Sequence, residues 1–143
     1  LAGYPVVDVR ITLVDGSYHP VDSSEMAFKT ASSIAFKKAM EEAKPVLMEP
    51  YYNLYVLCAE SMMGDVIGDL NSKRGRILGM QSVEEGISRV EAQVPYAEIM
   101  EYSVDLRALT QGMGTFEMKF DHYEDVPAKM AEKIIEERKK EAE

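Results

Sequence analysis

Five successive residues, Asp15-Gly16-Ser17-Tyr18-His19, carry a carboxylate, a hydroxyl, a phenol and an imidazole on one short polar segment. Planar rings and hydrogen-bond donors of this kind can contact nucleobases and ribose hydroxyls. From spacing alone, the plain reading of His19 is an exposed loop histidine without a task. His122, in Asp-His-Tyr, and the lone Cys58 could be read as a ligand pair, but without a third residue at metal-like spacing they make weak evidence for a metal. His122 is better read as closing a sheet edge. Lys73, Arg74 and Arg76 form a basic cluster around Gly75, and its plain reading is positive charge balancing a helix C-terminus. The abundant carboxylates offer no nucleophile, base and orienting group together, so they read as solvated faces and no catalytic residue is assigned. The phosphate loop G-x-x-x-x-G-K-[ST] does not occur, so this chain does not hold GTP by the usual means.

The elements around the first segment follow from periodicity. Val7, Val9, Ile11 and Leu13 alternate with Asp8, Arg10, Thr12 and Val14, predicting a half-buried strand that ends at Asp15-Gly16. Asp22 as N-cap, Glu25 three residues on, and the pair Val21 and Met26 predict a capping box and a hydrophobic staple. The helix should run to about Lys44, where Pro45 stops it. Ala27, Ala31, Ala35, Ala39 and Ala43 form one row on it; Phe28, Ser32, Phe36 and Met40 form a second.

After a linker from Pro45 to Pro50, Leu54, Val56 and Cys58 alternate against Asn53, Tyr55 and Leu57 as a strand. Ser61 is placed to cap a helix that buries Met63, Val66, Ile67 and Leu70. Gly64 and Gly68 would mark close backbone packing, and Gly75 would supply a left-handed stop. Strands over Arg76 to Ser82 and Ile87 to Val94 flank a turn at Val83 to Gly86, with Ser88, Val90, Ala92 and Val94 inward. A second helix, about Ala97 to Leu109, carries Ile99, Tyr102, Leu106 and Leu109 at helical spacing. The Gln111-Gly112-Met113-Gly114 loop leads to a last strand with Phe116, Met118 and Phe120 inward. The order β-α-β-β-α-β predicts an α+β, ferredoxin-like unit with both helices on one face of an antiparallel sheet. From Pro127, Met130, Ala131, Ile134 and Ile135 give an amphipathic C-terminal helix whose charged end should fray. The expected boundaries are 1–44, 45–124 and 125–143.

At 143 residues and 46% hydrophobic, the chain can build one or two small cores, and no apolar run suggests a membrane helix. One cysteine excludes an intrachain disulfide; with no signal peptide at the start, a cytoplasmic location fits best. The opening Leu1-Ala2-Gly3 without an initiator methionine agrees with a piece of a longer protein. The formal charge of −9 opposes a simple nucleic-acid-binding domain and gives DNA no support; residues 45 to 124 alone hold 6 Lys or Arg against 13 Asp or Glu. Any RNA contact must therefore be local.

The runs D-G-S-Y-H-x-V-D-S-S-E-M-A-F, M-G-D-V-I-G-D-L-N-S-K-R-G-R-I-L-G-M and D-L-R-A-L-T-Q-G-M-G-T-F resemble the C-terminal part of bacterial elongation factor G, the ribosomal translocase, over essentially the whole chain. The resemblance implies the end of domain IV, all of domain V and a C-terminal helix. It places Asp15, Gly16, Ser17, Tyr18 and His19 at the tip that meets transfer RNA paired with messenger RNA, with His19 unmodified because its surroundings are of the bacterial type. It implies that Lys73, Arg74 and Arg76 contact ribosomal RNA. The partner is then the ribosome, with no membrane and no DNA, and GTP and magnesium belong to a G domain outside this chain. The domain IV part is expected to be incomplete, free to pack differently or to form a non-native dimer. Met113 stands where many members carry Arg, which leaves open the principal translocase or a paralogue in ribosome recycling. From another class, a free-standing ferredoxin-like domain that binds a small regulatory ligand is the alternative.

Overall fold

Alternation organises the middle of the chain. A computed structural model describes residues 1–143, and in it strand β1 (Met48–Ala59) buries Leu54, Val56 and Cys58 on one face. A 3-10 turn (Glu60–Met62) leads to α2 (Met63–Ser72), following α1 (Glu25–Glu42) earlier in the chain. Then come β2 (Arg76–Glu84), β3 (Ile87–Pro95), a second 3-10 turn (Tyr96–Glu98), α3 (Tyr102–Thr110), β4 (Thr115–Asp125) and α4 (Ala128–Ala142). The four strands lie in the order β2-β3-β1-β4, every neighbouring pair antiparallel. This is the expected β-α-β-β-α-β arrangement.

The chain divides into two compact units, Met48–Val126 and a second made of Leu1–Leu47 with Pro127–Glu143. In the first, the core is the inward face of β1 and β3 under the two helices: Leu54, Val56, Val90, Ala92 and Val94 meet Val66 and Leu70 of α2 and Tyr102 and Leu106 of α3. All four expected inward residues of β3 are buried, Ser88 included. β4 departs from expectation. Phe116 is half-buried and meets Tyr102 edge-on, with ring centroids 5.1 Å apart, but Met118 and Phe120 remain exposed. An edge strand buries its inward side chains only where a helix covers them.

The helix ends use other residues than expected. Ser61 makes no cap, since α2 grows out of the 3-10 turn. At its end Arg74, not Gly75, adopts the left-handed conformation, with φ of 60°. Gly75 donates its N–H to the Leu70 carbonyl at 2.8 Å and Arg74 donates to Asn71 at 3.3 Å, the paired bonds of a Schellman closure. Glycine is needed at 75 for a different reason: a Cβ there would lie 2.7 Å from the Leu70 carbonyl oxygen. Gly64 and Gly68 have open space around them, so they do not mark close packing.

Thr110 closes α3 from inside the core. Its hydroxyl donates to the Leu106 carbonyl at 2.6 Å and accepts the Gly114 N–H at 2.8 Å, while Gln111 and Gly112 take positive φ. Thr110→Val keeps the shape but leaves the Gly114 N–H unpartnered; it should cost about 2 kcal/mol. The check is a lowered urea midpoint at unchanged slope.

In the other unit, 7–14 form no strand, and Ile11 and Leu13 are 75% and 89% exposed. A strand is held by a neighbouring ladder, and none runs beside this segment. The Asp22 cap and the Val21–Met26 staple also do not form: Ser24 is the N-cap, its Oγ accepting the Ala27 N–H at 3.1 Å, and both staple residues are exposed. Ser24 wins because it lies directly before the first helical residue. α1 ends at Glu42, and only Phe36 and Met40 of its two rows are half-buried. In α4 the expected stripe Met130, Ala131, Ile134 and Ile135 is half-buried, and the helix persists to Ala142. Arg138 of α4 lies over the Tyr4 ring, 5.1 Å from its centroid, and donates to its hydroxyl at 3.3 Å.

Candidate nucleic-acid interface

The segment Asp15 to His19 leads into α1, and its backbone is tied down locally. The His19 carbonyl accepts the N–H groups of Asp22 and Ser23 at 3.2 and 2.9 Å, and the His19 N–H donates to Ser23 Oγ at 2.8 Å. Ser23 thus holds both main-chain polar groups of His19. Upstream, the Gly16 N–H donates to Asp15 Oδ1 at 2.7 Å. The Tyr18 ring stacks on Phe28 of α1, centroids 6.3 Å apart and planes within 8°. All five residues are exposed, and the imidazole makes no hydrogen bond within the chain. Chemically the site offers two rings and several free donors and acceptors on a restrained backbone, which suits binding rather than bond-making.

The basic cluster is placed differently. Lys73 bridges Asp69 at 2.8 Å and Asp105 at 3.2 Å, tying α2 to α3. Burial works against its charge, but the hydrogen bonds to those carboxylates outweigh burial and lift its pKa above the usual lysine range. Arg74 makes a bidentate pair with Glu49, at 2.7 and 3.1 Å, and reaches Glu98 at 3.2 Å. The Glu49 contact leads in raising its pKa. Arg76 pairs with Glu124 and lies 4.9 Å from the centroid of Tyr51, with about half of its side chain in solvent. Lys73 and Arg74 thus join elements together, and only Arg76 keeps a substantial free surface. The partners Glu49, Asp69, Glu98, Asp105 and Glu124 were missed in the sequence; the acid excess of this region was the one signal of them.

The remaining reactive groups sit apart. Cys58 is buried, and burial pushes its thiol up, away from thiolate. Burial also raises the Tyr102 phenol well above its ordinary range, with Asp69 adding to the effect. His122 has Nδ1 2.6 Å from Asp121 Oδ2 and Nε2 3.3 Å from Glu124 Oε2, and its ring stacks on Tyr51. It lies in the ladder between β4 and β1, opposite Tyr51. No helix is long and apolar enough to cross a membrane.

Comparison with known proteins agrees with this anatomy. The family model for elongation factor G, domain IV matches residues 1–44, and that for the elongation factor G C-terminus matches residues 46–134. A loop-and-helix element followed by a ferredoxin-like sheet is therefore the C-terminal end of a translation elongation factor. The chain belongs to the elongation factor G family. It is 58% identical over 138 residues to elongation factor G of Aquifex pyrophilus, covering 96% of this chain and 20% of that protein. A solved structure from Thermus thermophilus matches with a TM-score of 0.75 and 51% identity, over 88% of this chain and 19% of the other. The chain thus spans about a fifth of the relatives it matches.

Proposed function

We propose that this chain is the RNA-contacting end of a ribosomal translocase, meeting transfer RNA, messenger RNA and ribosomal RNA while GTP, with magnesium, is hydrolysed elsewhere in the full-length factor. The chain contributes no chemistry of its own, and the cytoplasm is its place of work. The observation that carries this reading is the free imidazole of His19 on a backbone whose N–H and carbonyl are both taken up by the 22–23 turn. A side chain carried on a backbone fixed in advance spares the cost of ordering that backbone when it meets a partner, so its contacts are favoured. Asp15, Gly16, Ser17 and Tyr18 extend the same surface. Of the basic cluster, Arg76 is the ribosomal RNA contact in this reading, because about half of its side chain reaches solvent beside its pair with Glu124, whereas Lys73 and Arg74 are largely enclosed among their carboxylate partners. His19→Ala in the full-length factor should slow single-turnover translocation by about tenfold, the loss of roughly 1.4 kcal/mol of transition-state stabilisation, while GTP hydrolysis stays near its usual rate. An unchanged translocation rate would refute the assignment.

A further inference from the structure

Hydrogen bonds join the tip segment to the start of α1 at one residue. Of Asp15 to His19, only His19 bonds beyond the segment. Its N–H donates to Ser23 Oγ at 2.8 Å, and its carbonyl takes the Ser23 N–H at 2.9 Å and that of Asp22 at 3.2 Å. Pro20 follows directly and disfavours a helical backbone at His19. The root of the imidazole is thus fixed from both sides, while the ring itself has no partner in the chain. Helix formation asks nothing of the Ser23 hydroxyl. α1 begins at Glu25 and is capped by Ser24, whose Oγ accepts the Ala27 N–H at 3.1 Å. Two adjacent serines therefore divide the work: one hydroxyl closes the helix and the other faces back to the loop.

Ser23 is half-buried beside a tip whose five residues are all exposed, and its hydroxyl bonds the His19 backbone without touching the His19 ring. A group placed this way acts on position. The bond adds little to the stability of the fold, because water takes over the exposed His19 N–H when the hydroxyl is removed. Its effect lies elsewhere. A loop held in advance meets a partner without first being ordered, whereas a loose one is ordered at the moment of contact. The hydroxyl of Ser23 therefore matters most when the imidazole is in use, and it matters through that imidazole alone.

We infer that Ser23 is a positioning residue for translocation, its hydroxyl holding the His19 backbone where the imidazole meets RNA. This rests on the RNA-contacting reading above and adds to it a residue that touches no RNA itself. Ser23→Ala, Ser23→Thr and Ser23→Ala combined with His19→Ala, made in the full-length factor, are measured for single-turnover translocation and GTP hydrolysis beside His19→Ala alone. Ser23→Ala should slow translocation about fivefold, the worth of one hydrogen bond. The loss is smaller than that of His19→Ala, because removing a positioning residue costs no more than removing the group it positions. Ser23→Thr retains the oxygen and should translocate like the unsubstituted factor. On the His19→Ala background, Ser23→Ala should add nothing. GTP hydrolysis should hold its rate throughout. In the 143-residue chain, Ser23→Ala should leave the helical circular dichroism unchanged while the His19 amide proton exchanges faster. Unaltered translocation by Ser23→Ala, failure of Ser23→Thr to restore it, or a loss that multiplies with that of His19→Ala overturns the inference and leaves the role of the tip standing. A fall in GTP hydrolysis or in helix content marks a merely structural serine and overturns it as well. If His19→Ala itself is silent, the broader assignment falls and the inference with it.

Discussion

Replacing Arg74 by Met should lower the stability of the Met48–Val126 unit by about 3 kcal/mol, because it strands a nearly buried carboxylate. Glu49 is 8% exposed and receives both of its strong contacts from the Arg74 guanidinium, at 2.7 and 3.1 Å. Without them the Glu49 charge is left nearly buried and unpaired, and Glu98 loses the contact at 3.2 Å. Part of the Arg74 side chain touches solvent, which keeps the loss at the lower end for a broken buried pair. Removing both charges separates this cause from others: Arg74→Met with Glu49→Leu should recover much of the loss, since an apolar pair of similar volume carries no desolvation cost. Arg74→Gly offers a contrast. It relieves the left-handed backbone at φ of 60° yet still strands Glu49, so it too should destabilise. The measurement is urea unfolding of the parent chain and the three variants. If Arg74→Met left the midpoint in place, the guanidinium would be free for an external partner and the structural role assigned to it would be wrong.

The second large effect is expected at Leu54. Its side chain is fully buried in the middle of β1, opposite Ala92 on one side and Met118 on the other. Leu54→Ala removes its contacts and leaves space that strands on both sides cannot close without shifting their ladders, at a cost of about 2 to 5 kcal/mol. A unit of this size has about 4 to 12 kcal/mol in all, so the variant should sit close to its unfolding threshold. Cys58, on the same inward face and 3% exposed, supplies the readout. Its thiol should react with a disulfide reagent far faster in Leu54→Ala than in the parent chain, because reaction requires opening. Equal rates would show that the site collapses around the smaller side chain.

What was legible in the sequence follows from what is local. Leu54, Val56 and Cys58, and the run from Ser88 to Val94, declare their buried face by alternation, and the sheet order then follows from the sequence of elements. Val7 to Leu13 alternates just as well, yet forms no strand, since alternation specifies a face and not a neighbour. Competition among nearby residues explains the smaller misreadings. Ser24 takes the cap expected of Asp22, and Arg74 takes the left-handed position expected of Gly75, whose own constraint is the approach of the Leu70 carbonyl. The ion pairs were illegible because their partners are distant in sequence: Arg74 meets Glu49 across 25 positions and Arg76 meets Glu124 across 48. For the interface, residue types alone left His19 without a task. Resemblance singled out its loop, and geometry added the role of Ser23 in holding it.

The pairing of β1 with β4 shifts between Tyr51 and Tyr52, which makes Asp121 an additional residue, and this has a consequence for how β4 tolerates change in length. It resets parity along the strand, so the same ribbon displays Phe120 to one side and, three positions later, Tyr123 to that side again. Insertions or deletions elsewhere in β4 would invert every side chain beyond them, whereas this position already absorbs one unit of slack. Asn53 and Gln93 hold Asp121 by its two carboxylate oxygens, each at 3.2 Å, so the slack is clamped by side chains from two other strands and does not wander.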